Sequence, residues 1–206
     1  RTELSEFVNL RKSGLIAIVL REDDDLIGVA LTDGRREVLL GTRDGMSIRF
    51  AETDLRPIGR NAVGVRGIEL AEGDRVVAMS IVEEDTDVLA ITENGYGKRT
   101  AIEEYRLQSR AGKGIKAMNL TDKTGGLAGQ LLVRSDEDIL IITDDGTIIR
   151  TPVDSIPLHG RATQGVRLMR VAEGSRIMSI ERAEQEPEED ELIPEGEETQ
   201  VPEDEI

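Results

Sequence analysis

Two basic residues framing a glycine recur along this chain. They read Arg60-Asn-Ala-Val-Gly64-Val-Arg66, Arg110-Ala-Gly-Lys-Gly114-Ile-Lys116 and Arg161-Ala-Thr-Gln-Gly165-Val-Arg167, with a shortened copy, Arg11-Lys-Ser-Gly14, near the start. A further arginine, Arg49, Arg99 or Arg150, stands 11 residues before each full block, and Lys98 and Lys113 add charge to the middle copy. The chemistry open to such a set is anion contact. Guanidinium and ammonium groups pair with phosphate oxygens, and the glycines Gly14, Gly64, Gly114 and Gly165 let backbone amides approach as further donors. The candidate phosphate contacts are therefore Arg11, Arg49, Arg60, Arg66, Lys98, Arg99, Arg110, Lys113, Lys116, Arg150, Arg161 and Arg167. The plainer reading is a solvated surface whose bases pair with nearby acids, natural in a chain with 33% charged residues. Recurrence in register favours a shared contact.

Other chemistries find little material. There is no cysteine, and His159 is the only histidine, so thiolate metal sites, disulfides and the usual zinc sites are excluded, and a reducing cytoplasm fits. Gly95-Tyr-Gly97 opens no helix and Gly112-Lys-Gly114 lacks phosphate-loop spacing, so no nucleotide cofactor is expected here. Glu22-Asp-Asp-Asp25 does not fit a calcium loop and reads as a solvated turn. Tyr96 follows a turn and Tyr105 a connector, so neither suits a DNA-cleaving nucleophile. Phe7, Phe50, Tyr96 and Tyr105 are the only aromatics, too few to stack unpaired bases. With no recognition helix or zinc finger, a nucleic-acid ligand would be held by its phosphates without sequence readout. No apolar run approaches the roughly 20 residues of a membrane span, so no membrane partner is expected.

The elements carrying these bases follow from a repeat. Glu37 to Arg49, Asp87 to Arg99 and Asp138 to Arg150 align, each a β-branched run, a threonine, an Asp-Gly or Asn-Gly pair and a second run ending in arginine. Gly45, Gly95 and Gly146 are 50 and 51 residues apart. Such runs predict β-hairpins with two-residue primed turns, in which Asn, Asp and Gly tolerate positive φ. Two more strand-like runs follow, Val65 to Leu70 and Val76 to Val82 in one copy, so a unit holds about four short strands, and Asp54-Leu-Arg-Pro57, Glu104-Tyr105 and Asp154-Ser-Ile-Pro157 read as connectors. The expected fold is all-β, a partial β-propeller of about four blades over 1–36, 37–86, 87–137 and 138–182, with a solenoid as the alternative. Arg1-Thr-Glu-Leu matches Arg99-Thr-Ala-Ile and Arg150-Thr-Pro-Val, so the first unit lacks its leading hairpin and the chain reads as a piece of a longer one. Residues 183–206 hold 12 of the acids and none of the bases, which leaves 30 acidic against 26 basic residues in 1–182. That tail is expected to be disordered, with the option of competing with DNA for the bases.

Residues 1–182 resemble a known family, the C-terminal domains of bacterial type IIA topoisomerases, comprising the A subunits of DNA gyrase and of its paralogue topoisomerase IV. The resemblance rests on Glu93-Asn-Gly-Tyr-Gly-Lys-Arg-Thr100, Gly64-Val-Arg-Gly-Ile68, Val29-Ala-Leu-Thr32 and Arg150-Thr-Pro-Val153. It implies a six-bladed β-pinwheel, with strands exchanged between blades, that wraps duplex DNA on a basic rim. It also implies a non-catalytic part of an ATP- and magnesium-dependent enzyme, an A2B2 heterotetramer of gyrase A and gyrase B that introduces negative supercoils. The family's Gln-Arg-Arg-Gly-Gly-Arg/Lys-Gly box has only a partial echo, Gln108-Ser-Arg-Ala-Gly-Lys-Gly114. The string around Tyr96 and the acidic tail favour gyrase over topoisomerase IV, whose domain guides substrate choice. A propeller serving as a protein-interaction scaffold is the alternative outside DNA binding.

Overall fold

A computed structural model describes residues 1–9 and 12–185; the candidate base Arg11 and most of the acidic tail lie outside them. Eleven strands are present among the described residues. They are β1 (Glu37–Thr42), β2 (Met46–Ala51), β3 (Val76–Ile81), β4 (Asp87–Thr92), β5 (Tyr96–Ala101), β6 (Ile115–Lys116), β7 (Leu127–Val133), β8 (Glu137–Thr143), β9 (Ile148–Pro152), β10 (Val166–Arg167) and β11 (Ile177–Glu184). The last strand carries two residues of the acidic segment, Ala183 and Glu184, into the fold. Single 3-10 turns at Leu4–Phe7, Glu52–Asp54, Ile102–Glu104 and Val153–Ser155 follow the same alignment column in all four units.

The strands form three antiparallel sheets in the orders β3-β1-β2-β6, β10-β5-β4-β7 and β11-β8-β9. The fourth strand of a full sheet comes from the next unit: β6 pairs with β2, and β10 with β5. A sheet is thus three strands of one repeat closed by a strand of its neighbour. Among the described residues, unit 1–36 supplies no strand, and Val65–Arg66, which correspond to β6 and β10, lie outside any strand with Val63 and Val65 exposed. The reason is pairing: a two-residue edge strand exists only against a hairpin, and the described part of the first unit offers none.

The hairpin turns differ from the two-residue primed form. Each has a glycine at φ 78 to 85°, while Asp44, Asn94 and Asp145 are absent from the positive-φ residues. Gly45, Gly95 and Gly146 donate to the carbonyls of Thr42, Thr92 and Thr143 at 2.9, 3.0 and 3.1 Å. This is the longer loop in which a tight turn ends on a left-handed glycine. The threonine in each copy has a job there. Its buried hydroxyl accepts the amide that the turn leaves unpaired, Met46 on Thr42, Tyr96 on Thr92 and Thr147 on Thr143.

The core lies between sheets. Strand β4 is buried on both faces, with Val88, Leu89, Ala90 and Ile91 fully inaccessible, which is why its sequence is a continuous apolar run instead of an alternation. Val88 packs with Leu39, Ile102 and Tyr105 on one side, and Leu89 and Ile91 with Ile139, Ile141 and Ile156 on the other. Strand β3 packs against β7, and β7 against β11. Strands β6 and β10 are the opposite, free edges of their sheets.

Candidate nucleic-acid interface

The recurring bases divide into three structural classes. The first, Arg49, Arg99 and Arg150, pairs with an acid on its own hairpin. Cross-strand register pairs Glu37 with Ala51 and Leu39 with Arg49, so Glu37 and Arg49 are diagonal neighbours on one face, and the other two hairpins repeat this. The ion pairs are Arg49 with Glu37 at 2.6 Å, Arg99 with Asp87 at 3.2 Å and Arg150 with Asp138 at 2.6 Å. In units 37–86 and 87–137 the guanidinium then reaches the next unit's 3-10 turn. Arg49 donates to the carbonyls of Ile102 and Tyr105 at 3.0 and 3.3 Å, and Arg99 to those of Ile156 and Asp154 at 2.7 and 3.4 Å. Arg1 reaches Glu52 and Leu55 in the same way. Arg49 and Arg99 thus hold neighbouring units together, a geometry that does not fit the expectation that they line a phosphate track. The signal was present: an acid stands 12 residues before each arginine.

The second class, Arg60, Arg110 and Arg161, is half-buried and staples each block to its predecessor. Arg60 donates to the carbonyl of Ile16 at 2.7 Å, Arg110 to that of Arg66 at 3.0 Å, and Arg161 to that of Lys116. Separations of 44, 44 and 45 residues place the three acceptors in one alignment column. The block glycines serve the same joint. Gly114 and Gly165 adopt φ of 72 and 71°, and a Cβ on either would collide with the carbonyl of Ser47 or Gly97 on the preceding hairpin. Their smallness admits the exchanged strand; it presents no amide nest to a ligand. Gly64 and Gly14 share the positive φ with nothing within 4 Å of a notional Cβ.

The third class faces solvent. Arg66, Lys113, Lys116 and Arg167 are exposed, and among the described residues none forms an ion pair. Lys116 and Arg167 sit on β6 and β10, the free edges. Two exposed bases without carboxylate partners among the described residues, Lys123 and Arg170, join Arg167 around Tyr96; they occur in one unit only and so lack the repeat that marked the others. Lys98 is the opposite case. It is fully buried, and its ammonium donates to the carbonyls of Gly160 at 2.7 Å and Arg161 at 2.5 Å, out of reach of any phosphate. Burial pushes its pKa down to about 8. Its alignment partners are Ile48 and Ile149, an apolar column that already indicated the core.

Among the described residues no group of three or more acidic, histidine or cysteine side chains is gathered to hold a metal ion, and no helix is long and apolar enough to cross a membrane. What remains available on the surface is a set of cations without carboxylate partners among the described residues, Lys116 and Arg167 on edge strands and the others in loops, suited to a polyanion that runs from one sheet to the next.

Comparison with known proteins bears on that arrangement. The family model described as "DNA gyrase C-terminal domain, beta-propeller" matches residues 1–33, 36–83, 86–129 and 137–184. The chain is 64% identical over 189 residues to the DNA gyrase A subunit of Halalkalibacterium halodurans, covering 92% of this chain and 23% of that protein. It is 44% identical over 200 residues to the DNA gyrase A subunit of Pseudomonas aeruginosa, covering 96% and 22%. The chain thus spans less than a quarter of the length of these relatives. A solved C-terminal domain of DNA topoisomerase IV matches with a TM-score of 0.84 at 28% identity, over 89% of this chain and 58% of that one. A solved DNA gyrase A C-terminal domain matches with a TM-score of 0.78 at 25% identity, over 84% and 59%. With strand exchange, four matched segments and relatives of this identity in agreement, the chain belongs to the family of DNA gyrase A C-terminal domains.

Proposed function

We propose that this domain binds duplex DNA on the free edges of its sheets, without sequence preference, and bends the duplex along successive blades. The observation that carries the reading is the division of the bases: Arg60, Arg110, Arg161, Arg49 and Arg99 are consumed by joints between units, while Arg66, Lys113, Lys116 and Arg167 stay exposed and without a carboxylate partner among the described residues. Phosphate contact needs cations that no carboxylate already holds. Bending 20 to 30 base pairs by 40 to 90° costs about 1 to 6 kcal/mol, so contacts spread over several blades suit the task better than one strong site. Phosphate contacts along such a path carry no base readout, and the scarcity of aromatics leaves single strands without a platform.

Within the whole enzyme the domain would present a wrapped segment to a catalytic core located elsewhere in gyrase A. Magnesium would act at that core and ATP at gyrase B, in a cytoplasmic A2B2 assembly that introduces negative supercoils. Two measurements on the full chain test the reading. With Lys123 and Arg170 counted beside the four exposed repeat bases, six cations predict a slope of about −5 for log affinity against log salt. A nearly flat dependence favours a protein-interaction scaffold. Ligating nicked circular DNA with the domain bound should shift the linking number in one direction. The structural likeness to topoisomerase IV gives the second reading its weight, and steep binding with no linking shift would select it.

A further inference from the structure

A cleft of about 360 Å³ opens where the tip of the β4–β5 hairpin meets the segment after β10. Tyr96 forms its floor. The Arg167 guanidinium lies 5.2 Å from the ring centre and the Lys123 ammonium 5.1 Å from it. Arg167 also donates to the Tyr96 hydroxyl through Nε at 3.2 Å and a terminal nitrogen at 2.6 Å. Arg170, Asn94 and Ser175 complete the wall, and no carboxylate among the described residues lines it. Lys123, Arg167 and Arg170 have no acidic partner among the described residues.

The hydrogen-bond inventory of the phenol is incomplete in a telling way. Its oxygen accepts from Arg167, while no acceptor among the described residues takes its proton. Arg167, and then Lys123, holds the Tyr96 pKa below the ordinary tyrosine value, which makes the neutral phenol the better hydrogen-bond donor. The site is also singular. Met46 and Thr147 occupy the Tyr96 column, and Gly73 and Gly174 the Lys123 column, so neither neighbouring unit can copy it. A repeated rim grips a uniform polyanion equally at every blade; one unit with a donor set of this density holds a phosphate more tightly than the rest.

We propose that this cleft seats one backbone phosphate of duplex DNA, held by Arg167, Lys123 and Arg170 and by the hydroxyl proton of Tyr96, and so sets where the wrap begins. The inference rests on the DNA-binding reading. Closed circular duplex, which has no terminal phosphate, and linear duplex with 5′-phosphates serve as probes for the full chain and its variants. On both, Tyr96→Phe should lower affinity roughly tenfold with the salt slope unchanged, because a donor is lost and no charge. Lys123→Gln should lower the slope by about one. Arg35→Gln, an exposed base far along the sequence, is the charge control and should stay within about twofold. If the parent chain binds and Tyr96→Phe binds equally well with an unchanged melting temperature, the seat is refuted while the rim survives. A loss confined to the linear probe assigns the cleft to DNA ends and overturns the proposal. If the parent chain binds neither probe, both readings fail together.

Discussion

Lys98 and Arg99 are adjacent in β5 and carry the same charge to opposite ends. Arg99 keeps its charge in a pair with Asp87 and directs its remaining donors to the next unit's carbonyls. Lys98 is buried against carbonyls alone, and burial depresses its pKa from 10.5 to about 8. Below pH 8 the folded and unfolded chains both hold the proton, and the cost of burying it is fully present. Between pH 8 and 10.5 the unfolded chain binds a proton that the folded chain releases, so stability rises with pH, by on the order of 3 kcal/mol at most. Denaturation of the parent chain and of Lys98→Met at pH 7 and pH 10 measures this, and the variant should lack the rise. The structural classes of arginine separate in the same kind of experiment. Arg99→Gln should lose about 2 kcal/mol of stability and bind DNA normally while folded, and Lys116→Gln should retain stability and bind more weakly. Equal loss of binding in both would return Arg99 to the interface.

At the scale of elements, the period, the hairpins and the connectors were legible in the sequence because each depends on local chemistry. Turn glycines, β-branched runs and a threonine at a fixed offset define a hairpin without reference to anything distant. The strand exchange is different. Nothing within Gly114-Ile115-Lys116 states that its partner is Met46–Ser47, some 70 residues earlier, and only the family resemblance implied it. For the same reason the block glycines suggested ligand approach when they answer to a backbone collision. Gly114→Ala combines that collision with a left-handed φ, and should destabilise by about 2 to 3 kcal/mol by chemical denaturation. Gly64→Ala meets no neighbour and should lose only the φ term, about 1 kcal/mol. The candidate interface was legible in outline, since the exposed bases lie in a repeated column. Its densest part was not, because Tyr96, Lys123 and Arg170 converge from three separate segments.

For the whole molecule, stability is distributed unevenly. Residues 15–31 carry large apolar side chains that are more than a third exposed, among them Ile16, Leu26, Ile27, Val29 and Leu31, and they form no strand. Strands β4 and β8 are inner strands of their sheets, and Leu89, Ile91, Ile139 and Ile141 on them are fully buried. Amide hydrogen exchange should therefore be fast across 15–31 and slowest in β4 and β8; uniform protection would contradict this picture.

The exchanged edge strand has one more consequence. Unit 87–137 passes β6 backward to the preceding hairpin and, through its own hairpin, receives β10 from the unit that follows. A duplication that copies a stretch of chain one period long copies donor and acceptor together. The inserted unit then fits both neighbours without compensating changes, so arrays of this kind can lengthen or shorten by whole units, while a cut placed between a hairpin and the loop that closes it leaves two incompatible ends.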